Sequence, residues 1–231
     1  MRKLLMGMAI LSTLAVAGVS RAAIGTVDLS WDGCTGPVDK TTTTPGIYNL
    51  FITELGHDQP HKAYDVRIIY GDATQNVPDA WRFDADGCEG TSLITQDVTS
   101  KLCPPFWQNA PGALQIKKVE FSPPQDGYAT TLMRILLANA YGEVNVVVPT
   151  TRYLLEVIKF DLSAAVVGAG SPPATCGGFE VPMNFKLTYA IWLDLAGNEI
   201  PFNRSRTTVS FNGVVPVRAE TCGSIKSQYR R

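Results

Sequence analysis

His57 and His61 are the only histidines in the chain, and they lie four residues apart in a polar stretch. With Asp58 and Asp65 they could ligate a divalent metal, because imidazole and carboxylate groups suit zinc or copper. An HxxxH pair outside a helix need not bring both rings to one point. The spacing therefore favours two solvated histidines in a loop, with a metal site as the alternative.

A second acidic group, Asp84 and Asp86 followed by Gly87 and Glu89, resembles half of a calcium-binding loop. Alternating carboxylates before a glycine let the backbone turn while their oxygens converge on one cation. The other ligands of a full loop are missing, and Cys88 follows the glycine directly. We expect a disulfide-tied turn and no cofactor here, with calcium as the alternative.

Catalytic motifs are absent from the sequence. It contains no GxSxG elbow, no GxGxxG and no GKS/T element. A Ser-His-Asp arrangement has no local support, and acidic residues without known geometry do not indicate a glycosidase. We predict no catalytic residue. The alternative, a secreted hydrolase, requires a cleft in which His57 or His61 meets a carboxylate and a nucleophile.

The four tryptophans, at positions 31, 81, 107 and 192, could form a stacking platform for sugars. Most tryptophans of a β-sandwich fill its core instead. Trp107 lies among Pro104, Pro105 and Pro111, and it is the one that we expect to be exposed. A carbohydrate-binding protein is therefore the second functional hypothesis, with Trp107 as its candidate contact.

Five cysteines are present, and no CxxC pair occurs among them. In an exported chain they indicate disulfides rather than a zinc or redox site. We expect Cys88 to pair with Cys103, which closes a loop of about 16 residues and contributes about 3 kcal/mol. Cys34 then pairs with Cys176, and Cys222 keeps a free thiol. Connectivity does not follow from sequence, so other pairings stay open.

The elements that would hold these residues are short runs with alternating apolar and polar residues, separated by turn residues. Residues 27–31 and 64–70 alternate with period two, and residues 47–55 form a run rich in β-branched and aromatic residues. The polar loop between the second and third runs predicts that they form a hairpin. A short strand is expected at 81–83 and a longer one at 113–121.

The C-terminal half is also rich in strand patterns. Residues 130–140 and 153–165 fit both a helix and a strand, and their neighbours favour strands. In residues 184–194 alternate side chains lie on one face: Phe185, Leu187, Tyr189, Ile191 and Leu193. A final strand at 207–211 is expected to pair back. Eight to ten short strands of this kind predict an antiparallel β-sandwich.

Two segments resemble known extracellular domains. Residues 48–56 (YNLFITELG) and 63–72 (AYDVRIIYGD) are similar to the early strands of bacterial cohesin-type and immunoglobulin-like domains. Residues 153–162 resemble their late strand, and 194–198 (DLAGN) resembles a turn of bacterial immunoglobulin-like modules. The resemblance implies a sandwich that binds proteins or surface polymers and performs no chemistry.

The sequence also departs from the cohesin-type pattern. A cysteine-bearing loop fills residues 71–111, and such cysteines are unusual in those domains. The chain contains no dockerin-like calcium repeat. We therefore expect a sandwich with a disulfide-tied loop insertion, and we carry over no binding residue from the family.

The N-terminus has the features of an export signal. Arg2 and Lys3 precede an uncharged run of 15 residues, from 4 to 18, and small residues flank Arg21 before a cut after Ala22. A spanning helix needs about 20 residues, so a membrane anchor is the weaker interpretation. We predict a signal peptide at 1–22, one β-sandwich domain at 23–216 and a basic tail at 217–231.

Charge limits the partners of the mature chain. Without Arg2, Lys3 and Arg21, 17 basic residues stand against 21 acidic ones, a formal charge of −4. A nucleic-acid binder normally has a basic excess, so nucleic acid is not an expected partner. No later stretch is long and apolar enough to span a membrane. The leading hypothesis is a secreted, extracellular or periplasmic binding module whose partner is a protein or a surface polysaccharide.

Overall fold

The computed structural model describes residues 25–55, 60–88, 90, 94–95, 102–104, 114–140, 148, 150–168, 176–201 and 203–213. Almost all regular structure there is β. The strands are β1 (Thr26–Trp31), β2 (Asp39–Lys40), β3 (Ile47–Leu55), β4 (His61–Gly71), β5 (Ile94–Thr95), β6 (Leu114–Phe121), β7 (Met133–Ala140), β8 (Arg152–Asp161), β9 (Met183–Asp194), β10 (Glu199–Pro201), β11 (Asn203–Arg204) and β12 (Thr208–Phe211).

These strands form two sheets. The five-stranded sheet has the order β11-β1-β3-β8-β5, and the seven-stranded sheet has the order β2-β12-β9-β4-β7-β6, with β10 paired to β9. The long pairs are antiparallel, and only the short β11 and β2 pair in parallel. The predicted all-β antiparallel sandwich is confirmed.

Aromatic side chains hold the two sheets together. The Trp31 ring, on β1, lies 5.4 Å from Phe185 and 5.5 Å from Phe211 of the opposite sheet, measured between ring centroids. The Trp31 indole N–H donates to the carbonyl of Ser210 at 2.7 Å. Such edge-to-face pairs stabilise a core beyond the area that they bury. Trp31 thus links β1 of one sheet to β12 of the other through a hydrogen bond.

The predicted hairpin between 47–55 and 64–70 is wrong. β3 pairs with β1 and β8, whereas β4 pairs with β7 and β9 in the other sheet. Consecutive strands β3 and β4 therefore lie in different layers. Alternation reports only that one face of a strand is buried, and it does not identify the neighbouring strand. The same pattern therefore fits a hairpin and an inter-sheet crossing.

Both ambiguous segments contain strands. β7 alternates strictly between buried and half-buried residues, and β8 lies between β3 and β5. The strand expected at 81–83 is wrong, because Trp81 ends a 3₁₀ turn, Asp79–Trp81, that inserts its indole into the core. The predictions at 113–121 and 207–211 correspond to β6 and β12, and β12 pairs back onto β9 as expected.

The four expected cysteines form two disulfides with exchanged partners. The structure joins Cys34 to Cys103 and Cys88 to Cys176, with Cα–Cα distances of 6.0 and 5.2 Å. The predicted pairs, Cys88 with Cys103 and Cys34 with Cys176, are wrong. Cys88 lies near the 3₁₀ turn, where Asp79 accepts a hydrogen bond from the Cys176 backbone N–H. Sequence proximity favoured the shorter loop, but the tertiary fold separates its two ends.

The Cys34–Cys103 disulfide covers part of the outer face of the five-stranded sheet. Both cysteines pack with Phe51, Leu154 and Val157, and all five residues are buried. The backbone N–H of Leu154 also donates to the carbonyl of Pro104 at 2.8 Å. These apolar side chains therefore point away from the main core and are still shielded from water.

Replacing both Cys34 and Cys103 by alanine should lower the free energy of unfolding by about 4 kcal/mol, because the disulfide spans 69 residues. It should also increase binding of a dye for exposed apolar surface, since Phe51, Leu154 and Val157 lose their cover. The matched control replaces Cys88 and Cys176, which are 88 residues apart. It should lose similar stability without the increase in dye binding, and equal dye binding by both variants would contradict this account.

Candidate functional site: the outer face of the seven-stranded sheet

A β-bulge at Thr188 reverses the faces of β9. Tyr189 pairs with Arg67 and Leu187 with Ile68, so Thr188 is an extra residue between them. The Thr188 hydroxyl donates to the carbonyl of Arg67 at 3.1 Å and holds this irregularity. A bulge of one residue shifts the alternation, so that side chains beyond it change sides.

The bulge exposes apolar side chains. Before it, Phe185 and Leu187 are fully buried. Beyond it, Ala190 and Trp192 are the buried residues. Tyr189, Ile191 and Leu193 are only half-buried and lie on the outer face. The prediction that alternate side chains from Phe185 to Leu193 share one face is therefore wrong beyond Leu187.

A shallow groove of 290 Å³ lies on this outer face. Apolar residues from three adjacent strands form most of it: Ala63, Ala138, Ala140, Ile191 and Leu193. The alanines keep its floor low and the longer side chains of β9 form a wall. Asp65 and Glu199 also line it, so acidic groups border an apolar depression.

The charged side chains beside the groove are held in place by contacts with neighbouring side chains. Arg67 donates to Asp65 at 2.9 Å, and its guanidinium lies 4.4 Å from the centroid of the Tyr189 ring. The hydrogen bond to Asp65 raises the pKa of Arg67. Desolvation, with a smaller contribution from the charge of Glu199, raises the pKa of Tyr189. Glu199 itself is exposed and forms no ion pair within the described ranges, so the groove keeps an acidic rim.

The interior between the two sheets contains a buried polar cluster, formed by His61 and Tyr64 of β4 and by Glu54 and Glu156 of the opposite sheet. An extra residue in β4, Lys62, turns His61 into the interior, where its Nε2 lies 3.8 Å from Oε2 of Glu54. The His61 ring lies against Trp192, with the ring centroids 3.8 Å apart and the planes tilted by 42°. Across the two sheets, the Tyr64 hydroxyl donates to Glu156 at 2.6 Å.

Glu54 is the member of this cluster with the most unfavourable environment. It is fully buried, and no described residue hydrogen-bonds to either of its carboxyl oxygens. Desolvation raises its pKa well above the ordinary value, so burial favours the neutral acid. The sequence analysis missed Glu54, although it continues the inward alternation of Leu50 and Ile52. Glu156 was missed as well, although it continues the inward alternation of Phe160 and Ile158.

The hydrolase hypothesis required an accessible cleft at a histidine. His61 does meet a carboxylate, Glu54, but both side chains are completely buried. A substrate needs contact with the reacting groups, and neither side chain offers it in this structure. His57 lies outside the described residues.

The metal-ligand candidates that the structure describes, His61, Asp84 and Asp86, are not brought together. His61 begins β4, whereas Asp84 lies near its other end, where Tyr70 donates to the carbonyl of Trp81. Both carboxyl oxygens of Asp84 accept hydrogen bonds from Arg82, at 3.0 and 2.7 Å, and this ion pair lowers the pKa of Asp84 against the effect of burial. Asp86 is exposed in the following turn. Within the described ranges no three His, Cys, Asp or Glu side chains cluster as metal ligands.

The carbohydrate hypothesis loses three of its four tryptophans. Trp31, Trp81 and Trp192 are completely buried, as expected of core residues. Trp107 falls outside the described residues, as do Cys222, the signal peptide at 1–22 and the basic tail at 217–231. The helices in the described part of the chain are too short to cross a membrane.

Comparison with known proteins gives a likeness of fold. No family profile matches the chain, and no curated protein matches it. Among solved structures, a cohesin module from a Clostridium perfringens family 33 glycoside hydrolase is 12% identical, with a TM-score of 0.40, over 82% of this chain and 98% of that one.

Two further cohesins show the same level of similarity. A non-cellulosomal cohesin from the archaeon Archaeoglobus fulgidus is 8% identical, with a TM-score of 0.35, over 89% of this chain and 99% of that one. A type I cohesin–dockerin complex from Clostridium thermocellum is 11% identical, with a TM-score of 0.40, over 80% and 97%. The chain thus has the weak cohesin-like resemblance that its strand motifs indicated, in fold alone.

Replacing Glu54 by glutamine should change how stability depends on pH. From about pH 4 upward the unfolded chain releases this proton while the folded chain retains it, since the folded pKa is raised. The free energy of unfolding of the natural protein then falls by at most about 1.4 kcal/mol per pH unit until the folded carboxyl ionises.

Urea unfolding from pH 4 to pH 8 measures this effect. The Glu54→Gln variant should match the natural protein at pH 4 and exceed its stability at pH 8. Glu199→Gln, at an exposed carboxyl, is the matched control and should follow the natural protein throughout. A Glu54→Gln profile parallel to that of the natural protein would show that Glu54 is not the group responsible.

Proposed function

We propose that this chain is an exported, non-enzymatic binding module that engages a protein partner through the outer face of its seven-stranded sheet. The observation that carries the proposal is the groove at Ala63, Ala138, Ala140, Ile191 and Leu193. Apolar side chains on an outer sheet face are costly to leave in water, and contiguous ones mark interaction sites.

The difference between the two outer faces supports this choice. On the five-stranded sheet a disulfide-linked segment buries Phe51, Leu154 and Val157. On the seven-stranded sheet Ile191 and Leu193 stay half-buried, and no described segment lies over them. Among the described residues, one set of outward apolar side chains is thus covered and the other stays partly exposed.

The shape of the groove favours a macromolecule. Its volume of 290 Å³ is at the lower limit of pockets that enclose a small ligand, which run from about 300 to 1,000 Å³. It has room for one or two apolar side chains of a partner that covers the surrounding sheet. Asp65 and Glu199 favour a partner with a basic residue beside its apolar contact, because complementary charges set register and specificity.

A pull-down with a groove variant tests the proposal. The mature chain from Ala23 is immobilised and exposed to envelope and culture extract of the producing organism. Ala138→Glu places a charge on the groove floor, pointing outward from a half-buried position. It should reduce retention of the partner by about tenfold or more and leave thermal stability nearly unchanged, as expected for the centre of an interface.

Ala164→Glu is the matched control, because it makes the same substitution in an exposed turn outside the groove. It should retain the partner fully. Prior protease treatment of the extract should abolish retention. Retention that survives protease would identify a polysaccharide instead of a protein, and equal retention by both variants would exclude this face as the binding surface.

A further inference from the structure

The edge strand β6 offers a surface distinct from the groove. It pairs with β7 residue by residue, from Leu114 opposite Ala140 to Phe121 opposite Met133, with no bulge. Its other edge forms no strand pair within the described ranges. A regular edge of eight residues presents backbone donors and acceptors that another strand can pair with.

The charges of β6 are self-complementary. A two-fold axis perpendicular to the sheet pairs antiparallel copies of one strand about a central residue. When that residue is Val119, Lys118 of one copy lies opposite Glu120 of the other, and the pair occurs twice. Pairings centred on Lys117, Lys118 or Glu120 place like charges directly opposite each other, which destabilises a sheet.

The side chains already have the orientation that this register requires. Lys118 and Glu120 lie on the same face of β6 and form an ion pair at 2.6 Å. Glu120 also contacts Arg134 of β7, and Arg134 donates to Asp126 at 2.6 Å. Within one copy, the positive charges of Lys118 and Arg134 therefore balance the negative charges of Glu120 and Asp126. The Lys118 side chain is 61% exposed and can reach a neighbouring strand.

We infer that a second copy of this chain pairs with β6 in antiparallel register about Val119, joining two seven-stranded sheets into one. Lysines on an edge strand normally discourage such pairing. Here each lysine meets a glutamate at the symmetric position, so the charges select one register and oppose its neighbours. The two grooves then open on the same side of the joined sheet, which would let one dimer bind two sites of a repetitive partner.

Charge reversal tests the register. Sedimentation or light scattering of the mature protein should give twice the monomer mass, with dissociation on dilution. In a dimer of the Lys118→Glu variant, Glu120 of each copy faces a glutamate across the axis. In a dimer of the Glu120→Lys variant, Lys118 of each copy faces a lysine. Each variant alone should dissociate at about tenfold higher concentration or more. An equimolar mixture of the two should recover the dimer, because it restores both Lys–Glu pairs.

Lys186→Glu is the matched control, because Lys186 is an exposed lysine of β9 and lies away from the edge strand. It should associate like the natural protein. Circular dichroism checks that each variant is folded, and recovery in the mixture separates lost charge complementarity from misfolding. A natural protein that stays monomeric up to its solubility limit overturns the inference. So does a mixture that associates no better than its components.

Discussion

A β-strand turns alternate side chains toward opposite faces, and one inserted residue exchanges those faces for everything beyond it. In β9 the inserted residue is Thr188, which is held by its hydroxyl on the carbonyl of Arg67. The core therefore takes Ala190 and Trp192, and the outer face takes Tyr189, Ile191 and Leu193. Without that hydrogen-bonded irregularity Ile191 and Leu193 would turn toward the core, and the groove would lose the wall that they form.

The same strands carry an unusual interior. Lys62, the extra residue of β4, turns His61 inward, and its own ammonium group donates to the carbonyl of Leu195. Glu54 and Glu156 approach from the opposite sheet. A buried carboxyl without hydrogen bonds opposes folding. These destabilising buried carboxyl groups lie at the end of the sandwich that also exposes apolar surface. The aromatic contacts around Trp31 stabilise the other parts of the core.

Much of the architecture follows from local patterns, and the rest depends on contacts between distant segments. The residue patterns of 47–55 and 64–70 predict two strands, but they do not reveal that these strands enter different sheets. Residues 183–192 have apolar side chains in both alternation phases, so only the pairing with β4 determines which phase is buried. The choice between Cys88–Cys103 and Cys34–Cys103 likewise depends on where the folded chain places residue 103.

The placement of apolar side chains beyond Thr188 is the central claim, and thiol labelling of the folded protein tests it most directly. In a Cys222→Ser background, single cysteines replace Ala190, Ile191 and Leu193, and their reaction with a polar thiol reagent is timed. We predict fast labelling at 191 and 193 and slow labelling at 190 until the protein unfolds. Fast labelling at 190 with protection at 191 and 193 would mean that β9 has no bulge and that the groove does not exist.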